Sequence, residues 1–457
     1  MPNQKIFNVS NEFRNGGMFK LILKYSIPSA LGNFMMTIYN VVDRIFISRK
    51  MGTEAIAGVG ITFQIFMLFV AIGIMFGVGS GTLASLRLGR KNFRSAERIL
   101  GTLYWIFCIG GVFTCVFGLI FIDPIVRIFG ATDVTAPYAK TYFGILLFFM
   151  PFDYLAMGTN PILRSEGNPN FSMWNIAAGC IANIILDYIF IFPLDMGVAG
   201  AAWATGISKL LSCALVFWHF RYSPHRTLTL RWKYFRFNKP LFSRMLYIGI
   251  SPFMVQGMFA IMAIVQNHTL LCYGGDIAIA VMVINSSIFM LMIIPTMGIL
   301  FGYQPIVGYN YGARLYRRAA QCLKLSVLTG IGVSAFLLMI VQLIAPAAFG
   351  LFCNFDTGLV QKWSPTLRVF TIGIPLWTVF TLSSNFFQAT GRPRITILLS
   401  ILRMGIIMPG MIMLMPYIFG LNGIWAAYPL ADSLVAVITL LLIIPEYRRL
   451  MRTGDQV

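Results

Sequence analysis

A carboxylate and an amide share one face of a very apolar segment in the first half of the chain. Asp187 lies in AGCIANIILDYIFIF, four residues after Asn183, and a spacing of four puts both side chains on one side of a helix. Asp43 lies near the end of another apolar segment and follows Tyr39 and Asn40 by four and three residues. Two carboxylates at similar depth repel each other when both are ionised, so the pair favours binding a proton or a small cation. These residues predict an ion-coupling site.

Further polar residues inside apolar segments complete the set of candidates. Thr205, in AAWATGIS, is predicted to bring a hydroxyl to the level of Asn183 and to join the ion-coupling site. Lys209, one turn farther along, is expected either to pair with Asp153 or to extend toward the cytoplasm. Asp432 has no obvious partner in the sequence. The candidates for substrate binding are Tyr39, Asn40, Gln256 and Asn285.

Signatures of enzymes and of metal sites are absent from the sequence. It contains no Walker A, HExxH or GxSxG motif, its three histidines are scattered, and its seven cysteines form no CxxC pair. Such motifs carry phosphate binding, metal binding and nucleophilic catalysis. We therefore expect no enzyme, no metal site and no cofactor, and we expect the cysteines to be reduced residues of the packed interior.

The elements that must position these residues are membrane-spanning helices. Hydrophobic residues make up 58% of the 457 residues and charged residues 11%, whereas soluble domains are about 45–50% apolar and about 25% charged. The apolar segments are about 20 residues or longer, which fits helices and not the shorter strands of outer-membrane barrels. The sequence predicts an all-α polytopic membrane protein with twelve transmembrane helices, at 18–44, 55–83, 97–121, 136–159, 168–192, 196–220, 241–270, 277–309, 319–345, 364–386, 393–415 and 421–445.

The basic net charge has a topological explanation. A formal net charge of +20 would also fit a nucleic-acid-binding protein. With a cytoplasmic N-terminus, however, 27 Lys and Arg residues lie on the cytoplasmic side, seven lie on the opposite side, and Lys209 lies within a helix. This asymmetry follows the positive-inside rule. It predicts that both termini are cytoplasmic, that the partner is the lipid bilayer, and that no nucleic acid is bound.

An internal repeat divides the chain into two halves. A shift of 223–224 residues superposes prolines and glycines of the halves: Pro28 on Pro252, Gly89 on Gly312, Gly167 on Gly391 and Gly200 on Gly423. Because each copy has six helices, both start on the same side of the membrane, and a pseudo-two-fold axis along the membrane normal relates them. We predict an N-terminal six-helix lobe (1–220), a basic cytoplasmic linker (221–240) that is a solvated loop facing anionic lipid, and a C-terminal lobe with a short cytoplasmic tail (241–457). Bends at Pro28 and Pro252 would serve either alternating access or packing alone.

Four long segments of the sequence carry a family resemblance. They are IPSALGNFMMTIYNVVDRIFISRKMGTEAIAGVG and ILRSEGNPNFSMWNIAAGCIANIILDYIFIFPLDMGVAGAAWATGIS in the first half, and FFQATGRPRITILLSILR and FGLNGIWAAY in the second half. Through them, over essentially its whole length, the sequence resembles the multidrug and toxic compound extrusion (MATE) family, prokaryotic type. This resemblance implies a twelve-helix, two-lobed antiporter of the bacterial inner (cytoplasmic) membrane. By position, Asp43 matches the family's helix 1 acid, and Asn183, Asp187 and Thr205 match its first-lobe cluster. The sequence departs from members with a second-lobe cation site, because its predicted helices 7 and 10 contain no carboxylate.

The function that this resemblance implies is secondary active antiport. Amphipathic organic cations and drugs would be exported in exchange for protons or sodium, by alternating access between the two lobes of a monomer. A proton is favoured as the coupling ion, although the oxygens of the ion-coupling site could also hold sodium with water. The alternative is a flippase or exporter of the same superfamily for a lipid-linked oligosaccharide or a metabolite; the oligosaccharide substrate would need a cavity rich in arginine or lysine. A membrane enzyme acting on lipids would need acids, histidines or metal ligands clustered at one interface.

Overall fold

The computed structural model describes residues 11–353 and 355–455, with their side chains except at positions 48, 51–56 and 260. Within these ranges the chain is nearly all helix. It contains no strand there, and its single isolated bridge joins Leu315 to Asp455. The first ten residues and the last two, which belong to the predicted cytoplasmic termini, lie outside the described residues.

The described first half of the chain forms eight named helices. They are α1 (Met18–Gly89), α2 (Phe93–Ile120), α3 (Ile122–Ile128), α4 (Ala136–Phe148), α5 (Met150–Gly158), α6 (Asn160–Ser165), α7 (Pro169–Ile191) and α8 (Gly197–Arg221). The helices α4 to α7 each have a proline in the first turn, where the missing N–H group has no partner to lose. A bend of 61° separates α4 from α5 and α6, so the predicted span 136–159 is a broken helix.

The described second half contains seven helices after a short 3₁₀ turn (Trp232–Tyr234). They are α9 (Lys239–Gly312), α10 (Tyr316–Gly350), α11 (Thr357–Thr371), α12 (Ile374–Ala389), α13 (Pro393–Ser400), α14 (Met408–Phe419) and α15 (Leu421–Thr453). A wide π-helical turn, Ile401–Ile407, joins α13 to α14.

The helices α1 and α9 each contain two of the predicted spans. They have 72 and 74 residues, and at about 1.5 Å per residue each far exceeds the hydrocarbon core of a bilayer, about 30 Å. Residues on both sides of the predicted loop in α1, from Met36 to Ile47 and from Val59 to Val70, line one cavity, so the chain reverses between them. In α9, Gly275 has a positive φ of 64°, which glycine adopts without strain, and it lies between two predicted spans.

By length and composition alone, fewer than twelve helices of the described residues qualify as membrane spans. Nine helices of the described residues are long and apolar enough, or ten when α4 is joined to α5 and α6. This number includes α9 once and leaves out the part of α1 before Ala57. With those two additional segments, the described residues contain all twelve predicted spans.

Contacts divide the described chain into two compact units that differ from the predicted lobes. The first unit comprises residues 11–15 and 31–253, and the second comprises 16–30 and 254–455. The predicted boundaries at residues 220 and 240 therefore differ from this division, because the first unit extends to residue 253 and the second includes the start of α1.

Glycine contacts explain why these helix segments belong where they do. Within the first unit, a Cβ atom at Gly79 would collide with the carbonyl oxygen of Met245, so α1 and the start of α9 touch through their backbones. Within the second unit, a Cβ atom at Gly302 would lie 2.6 Å from the backbone nitrogen of Ser26. Gly79 and Gly302 are equivalent positions of the repeat. The first unit therefore contacts the start of α9, and the second unit the start of α1, through the same kind of glycine contact.

The basic segment 221–238 is packed against the first unit. Leu228 is 0% exposed and Leu230 is 3% exposed, and both alternate with threonines in RTLTLRW, which gives an extended segment one apolar face. The guanidinium of Arg231 pairs with Glu97 of α2 at 2.9 Å. The prediction of a solvated loop is therefore wrong for this segment, because its leucines are buried while basic side chains remain at the surface.

Candidate functional site

A cavity of about 310 Å³ lies within the first unit, and both halves of α1 line it together with α4, α5 and α8. Its wall contains six of the residues predicted from the sequence: Tyr39, Asn40, Asp43, Asp153, Thr205 and Lys209. Apolar and aromatic side chains form most of the remaining wall, among them Met36, Phe63, Phe66, Met67 and Met157. The spacing of four between Tyr39 and Asp43 places both on the face of α1 that is turned to the cavity.

Asp187 is the most deeply buried acid of this region. It lies on α7 with 0% exposure, and neither carboxylate oxygen has a hydrogen-bond partner among the described residues. One turn earlier, Asn183 donates a hydrogen bond from Nδ2 to Thr205 Oγ1 on α8 at 3.2 Å. The Oδ1 atom of Asn183 is buried and likewise unpartnered among those residues. A buried ionised carboxylate without a partner is costly, so this group can be stabilised by a proton or a bound cation.

Asp43 of α1 lies within electrostatic range of Asp187. It is 9% exposed, and its Oδ1 atom is buried without a hydrogen-bond partner in the described part of the chain. The neighbouring Arg44 extends its guanidinium over the ring of Phe63, 4.8 Å from the centroid. The structure thus brings the two predicted acids together and directs the adjacent cation toward an aromatic wall.

Asp153 and Lys209 form an ion pair at the cavity wall. Lys209 Nζ on α8 lies 2.9 Å from Asp153 Oδ1 on α5, and the two side chains are 18% and 3% exposed. The bend before α5 positions this pair. Phe149, at the bend, packs on Gly206 of α8 so closely that a Cβ atom at Gly206 would collide with the Phe149 ring. Of the two alternatives open for Lys209, the structure has the pair with Asp153.

The sequence analysis missed one residue of the cavity wall and one residue near the wall. Tyr142 of α4 is buried, lines the cavity, and its hydroxyl interacts with Thr205 and with the charges of Asp43 and Asp187. It precedes Asp153 by 11 residues, but the bend of 61° between their two helices means that helical spacing does not relate the two residues. Cys180 of α7 lies within electrostatic range of Lys209, and nothing in its sequence context distinguishes it from a packing residue.

The polar candidates of the second unit do not line this cavity. Asn285 is fully buried and donates from Nδ2 to Thr366 Oγ1 at 3.1 Å, while its Oδ1 has no partner within the described ranges. Gln256 is half-buried on α9. Their predicted role in substrate binding therefore stays a prediction.

A second buried ion pair corrects one prediction and supplies a partner for Asp432. Arg403, in the wide turn Ile401–Ile407, donates from Nε to Asp432 Oδ1 at 2.8 Å, and its Nη2 lies 2.7 Å from the same oxygen. The count of 27 cytoplasmic charges includes Arg403, which lies near the start of the predicted span 393–415. That placement is wrong, because the side chain is 5% exposed and buried in this ion pair. Asp432, for which the sequence offered no obvious partner, has one in Arg403. Without Arg403 the cytoplasmic count is 26, and the asymmetry persists.

The donor set of the site suits a proton or a small hard cation. Among the described residues, no group of three or more His, Cys, Asp and Glu side chains could hold a metal ion. The atoms available are oxygens: both of Asp187, one each of Asp43 and Asn183, and the Thr205 hydroxyl. Oxygen ligands of this kind bind hard cations, and the two interacting carboxylates can bind protons.

Known proteins resemble this chain along most of its length. A family model described as MatE matches residues 28–189 and 248–413. The multidrug export protein MepA of Staphylococcus aureus strain N315 is 29% identical over 432 residues, which is 94% of each chain, and that of Staphylococcus saprophyticus is 27% identical over the same shares. The outward-facing structure of a multidrug resistance MATE family transporter of the MOP superfamily aligns with a TM-score of 0.90 and 25% identity, covering 96% of this chain and 98% of that one. This likeness confirms the predicted fold class of twelve transmembrane helices in two six-helix lobes.

Proposed function

Because this chain belongs to the MatE family, whose model matches both of its halves, we propose that it is a secondary active multidrug exporter. It exports amphipathic organic cations and drugs in exchange for protons, by alternating access. The relatives named multidrug export protein support the substrate class, and the geometry of the first unit supports the coupling site.

The observation that carries the proposal is Asp187, fully buried with neither oxygen partnered in the described residues. Asp43 is close enough to interact with it electrostatically. Two ionised carboxylates in such a site repel each other, and protonation removes both the repulsion and the cost of the unpaired charge. Since Asp43 also lines the cavity, protonation changes the charge that a bound cation meets. We infer that a proton and the substrate cation compete for this negative charge, with a proton favoured over sodium.

The cavity wall fits an apolar cation. Phe63 and Phe66 supply aromatic rings, and Met36, Met67 and Met157 supply polarizable thioethers. Aromatic faces attract cations, and methionine side chains adapt to ligands of different shapes. The basic groups of the wall are engaged, Lys209 with Asp153 and Arg44 with Phe63. The wall therefore has no cluster of basic residues suited to the pyrophosphate of a lipid-linked oligosaccharide.

The charge asymmetry supports a definite orientation in the membrane. We propose that both termini are cytoplasmic, that the membrane is the bacterial inner membrane, and that the protein works as a monomer. The orientation rests on the excess of Lys and Arg on one side, and the complete ion-coupling cluster within one unit supports function without a second copy.

Ethidium efflux tests the proposed function. Cells or proteoliposomes with the protein are loaded with ethidium, and proton and sodium gradients are imposed separately. Wild type should export ethidium when the proton gradient is present. Asp43→Asn and Asp187→Asn should each abolish efflux, because an amide cannot carry the proton. Asp133→Asn, at an exposed residue, is the control and should leave efflux unchanged.

Two results would contradict parts of the proposal. Efflux driven by sodium alone, and lost in Asp187→Asn, would keep the site and change the coupling ion. No export of ethidium under either gradient, by wild-type protein that is folded and present in the membrane, would refute the export of organic cations.

A further inference from the structure

We propose that Asp153 is a subsite for the cationic group of the substrate, and that Lys209 is an internal cation that occupies Asp153 until the substrate displaces it. This inference rests on the proposed function and names a specificity-determining pair for the same cavity. The exchange is non-covalent: one ammonium leaves the carboxylate and another positive group takes its place.

The first argument is the position of the pair. Both side chains line the 310 Å³ cavity, and the ammonium lies 2.9 Å from the carboxylate. A substrate that enters the cavity therefore meets this ion pair directly. Lys209 keeps 18% of its side chain exposed, whereas Asp153 keeps 3%. The carboxylate is thus the fixed member, and the lysine, with its flexible four-carbon stem, is the member that can move aside.

The second argument is energetic. Desolvation of two charges opposes most of the attraction between them in a buried pair, and an apolar replacement of both partners is often equally stable. Stability alone is therefore a weak reason for such a pair at a cavity wall. In such a pair the attraction between the two charges nearly cancels the cost of their desolvation. A second cation can therefore replace the lysine at the carboxylate at a small cost in free energy.

The third argument is the link to the ion-coupling site. Tyr39 is within electrostatic range of Lys209, Asp153, Asp43 and Cys180. The same tyrosine interacts with Tyr142, which reaches Asp187. A positive charge at Asp153 is therefore part of the same electrostatic cluster as the two acids that we propose bind protons.

The second half of the chain offers a matched comparison. The repeat shift of 223 residues places Lys209 on Asp432, and Asp432 pairs with Arg403. Both side chains of that pair are nearly fully buried, at 5% and 4% exposure, and neither lines the cavity. Breaking this pair therefore measures the general effect of losing a buried ion pair without touching the proposed subsite.

Equilibrium binding to the purified full-length protein in detergent tests the inference, at one fixed pH. Ethidium is the cationic probe and N-phenyl-1-naphthylamine the neutral one. Lys209→Met should tighten ethidium binding by about tenfold or more, the effect of about 1.4 kcal/mol, because the carboxylate loses its competitor. Asp153→Asn should weaken it by about tenfold or more, because it leaves the lysine charge unopposed. Binding of the neutral probe should stay within about threefold, and Arg403→Met should leave ethidium binding unchanged even where it lowers thermal stability.

The double variant Asp153→Asn/Lys209→Met keeps the test decisive if Lys209→Met does not fold. Displacement predicts that the double variant binds ethidium about tenfold more tightly than Asp153→Asn, yet no more tightly than wild type. A purely structural pair predicts parallel losses for both probes in both single variants and recovery of both in the double. That pattern would overturn the inference, as would unchanged or weaker ethidium binding in folded Lys209→Met, or no ethidium binding by any variant. Efflux by wild type together with any of these results would leave the proposed function intact.

Discussion

Glu166→Gln should release the basic segment 221–238 from the first unit. The Glu166 carboxylate is fully buried and accepts hydrogen bonds from the backbone nitrogens of Thr227 at 3.1 Å and Leu228 at 3.0 Å. Its other oxygen contacts His219 Nε2 and accepts from Asn168 Nδ2 at 2.8 Å. Two of these four contacts come from the segment itself, so this carboxylate is its main polar anchor.

The size of the effect follows from these contacts. Glutamine can turn its NH₂ group toward His219 and Asn168. A neutral oxygen then accepts from the backbone nitrogens of Thr227 and Leu228 in place of a charged one. A hydrogen bond to a charged acceptor contributes about 1.5–3 kcal/mol and one to a neutral acceptor about 0.5–1.5 kcal/mol, so each of these two bonds loses about 1.5 kcal/mol. A loss of about 3 kcal/mol in the docking of the segment raises the undocked fraction about 150-fold, since about 1.4 kcal/mol corresponds to a factor of ten.

Limited trypsin digestion of the purified protein measures the undocked fraction. Arg226 and Arg231 lie within the segment, and cleavage there follows the open population when reclosing is fast. We expect cleavage to accelerate about 150-fold in Glu166→Gln. The control is Asp133→Asn, which breaks an exposed pair with Arg127 worth less than about 1 kcal/mol, and it should leave cleavage unchanged. Cleavage of Glu166→Gln at the wild-type rate would refute the docking of this segment through Glu166.

Three further outcomes are expected. Gly249→Ala should lower the melting temperature strongly, because its Cβ atom would collide with the Met75 carbonyl oxygen, whereas Gly257→Ala on the same helix meets no atom within 4 Å and should not. If Asp43 and Asp187 each carry one proton per exported monovalent cation, one net charge moves per cycle, and a membrane potential of 100 mV contributes about 2.3 kcal/mol to export. Collapsing this potential with valinomycin and potassium should then lower the steady-state concentration gradient of ethidium about fifty-fold. An unchanged gradient would indicate that one proton is exchanged for one cation. The exposed Cys272 lies between the predicted spans 241–270 and 277–309, on the outer side in the proposed orientation, so a membrane-impermeant maleimide added to intact cells should label it. Absence of labelling in intact cells would contradict that orientation.

Local spacing along one helix was sufficient to identify much of the site. Asn183 and Asp187 share a face because they are four residues apart, and Tyr39 and Asp43 do so for the same reason. Their segments are apolar enough to make any polar residue conspicuous. Tyr142 did not stand out in this way, because tyrosine is common in apolar helices and its role depends on Thr205 of α8, 63 residues away in the sequence.

Ion pairs between helices were predicted with mixed success. Lys209 and Asp153 could be matched because only one lysine lies well inside a predicted span, and the structure places their charged atoms 2.9 Å apart. Arg403 and Asp432 could not be matched, because Arg403 lies near a cluster of basic residues at a helix start and was assigned to it. The wide turn Ile401–Ile407 alters the helical register there, and a sequence pattern of 3.6 residues per turn does not contain that change.

The amino-acid sequence by itself determined the membrane class, the twelve spans, the repeat and the acids of the proposed coupling site. These properties depend on the length and polarity of single segments, which the bilayer and the helix geometry constrain directly. Tertiary structure alone decided the partners of Arg403 and Tyr142, the docking of segment 221–238 on Glu166, and the extension of the first unit to residue 253. Those features depend on close contacts between segments far apart in the chain, such as Gly79 with Met245, and only packing in three dimensions determines which segments meet.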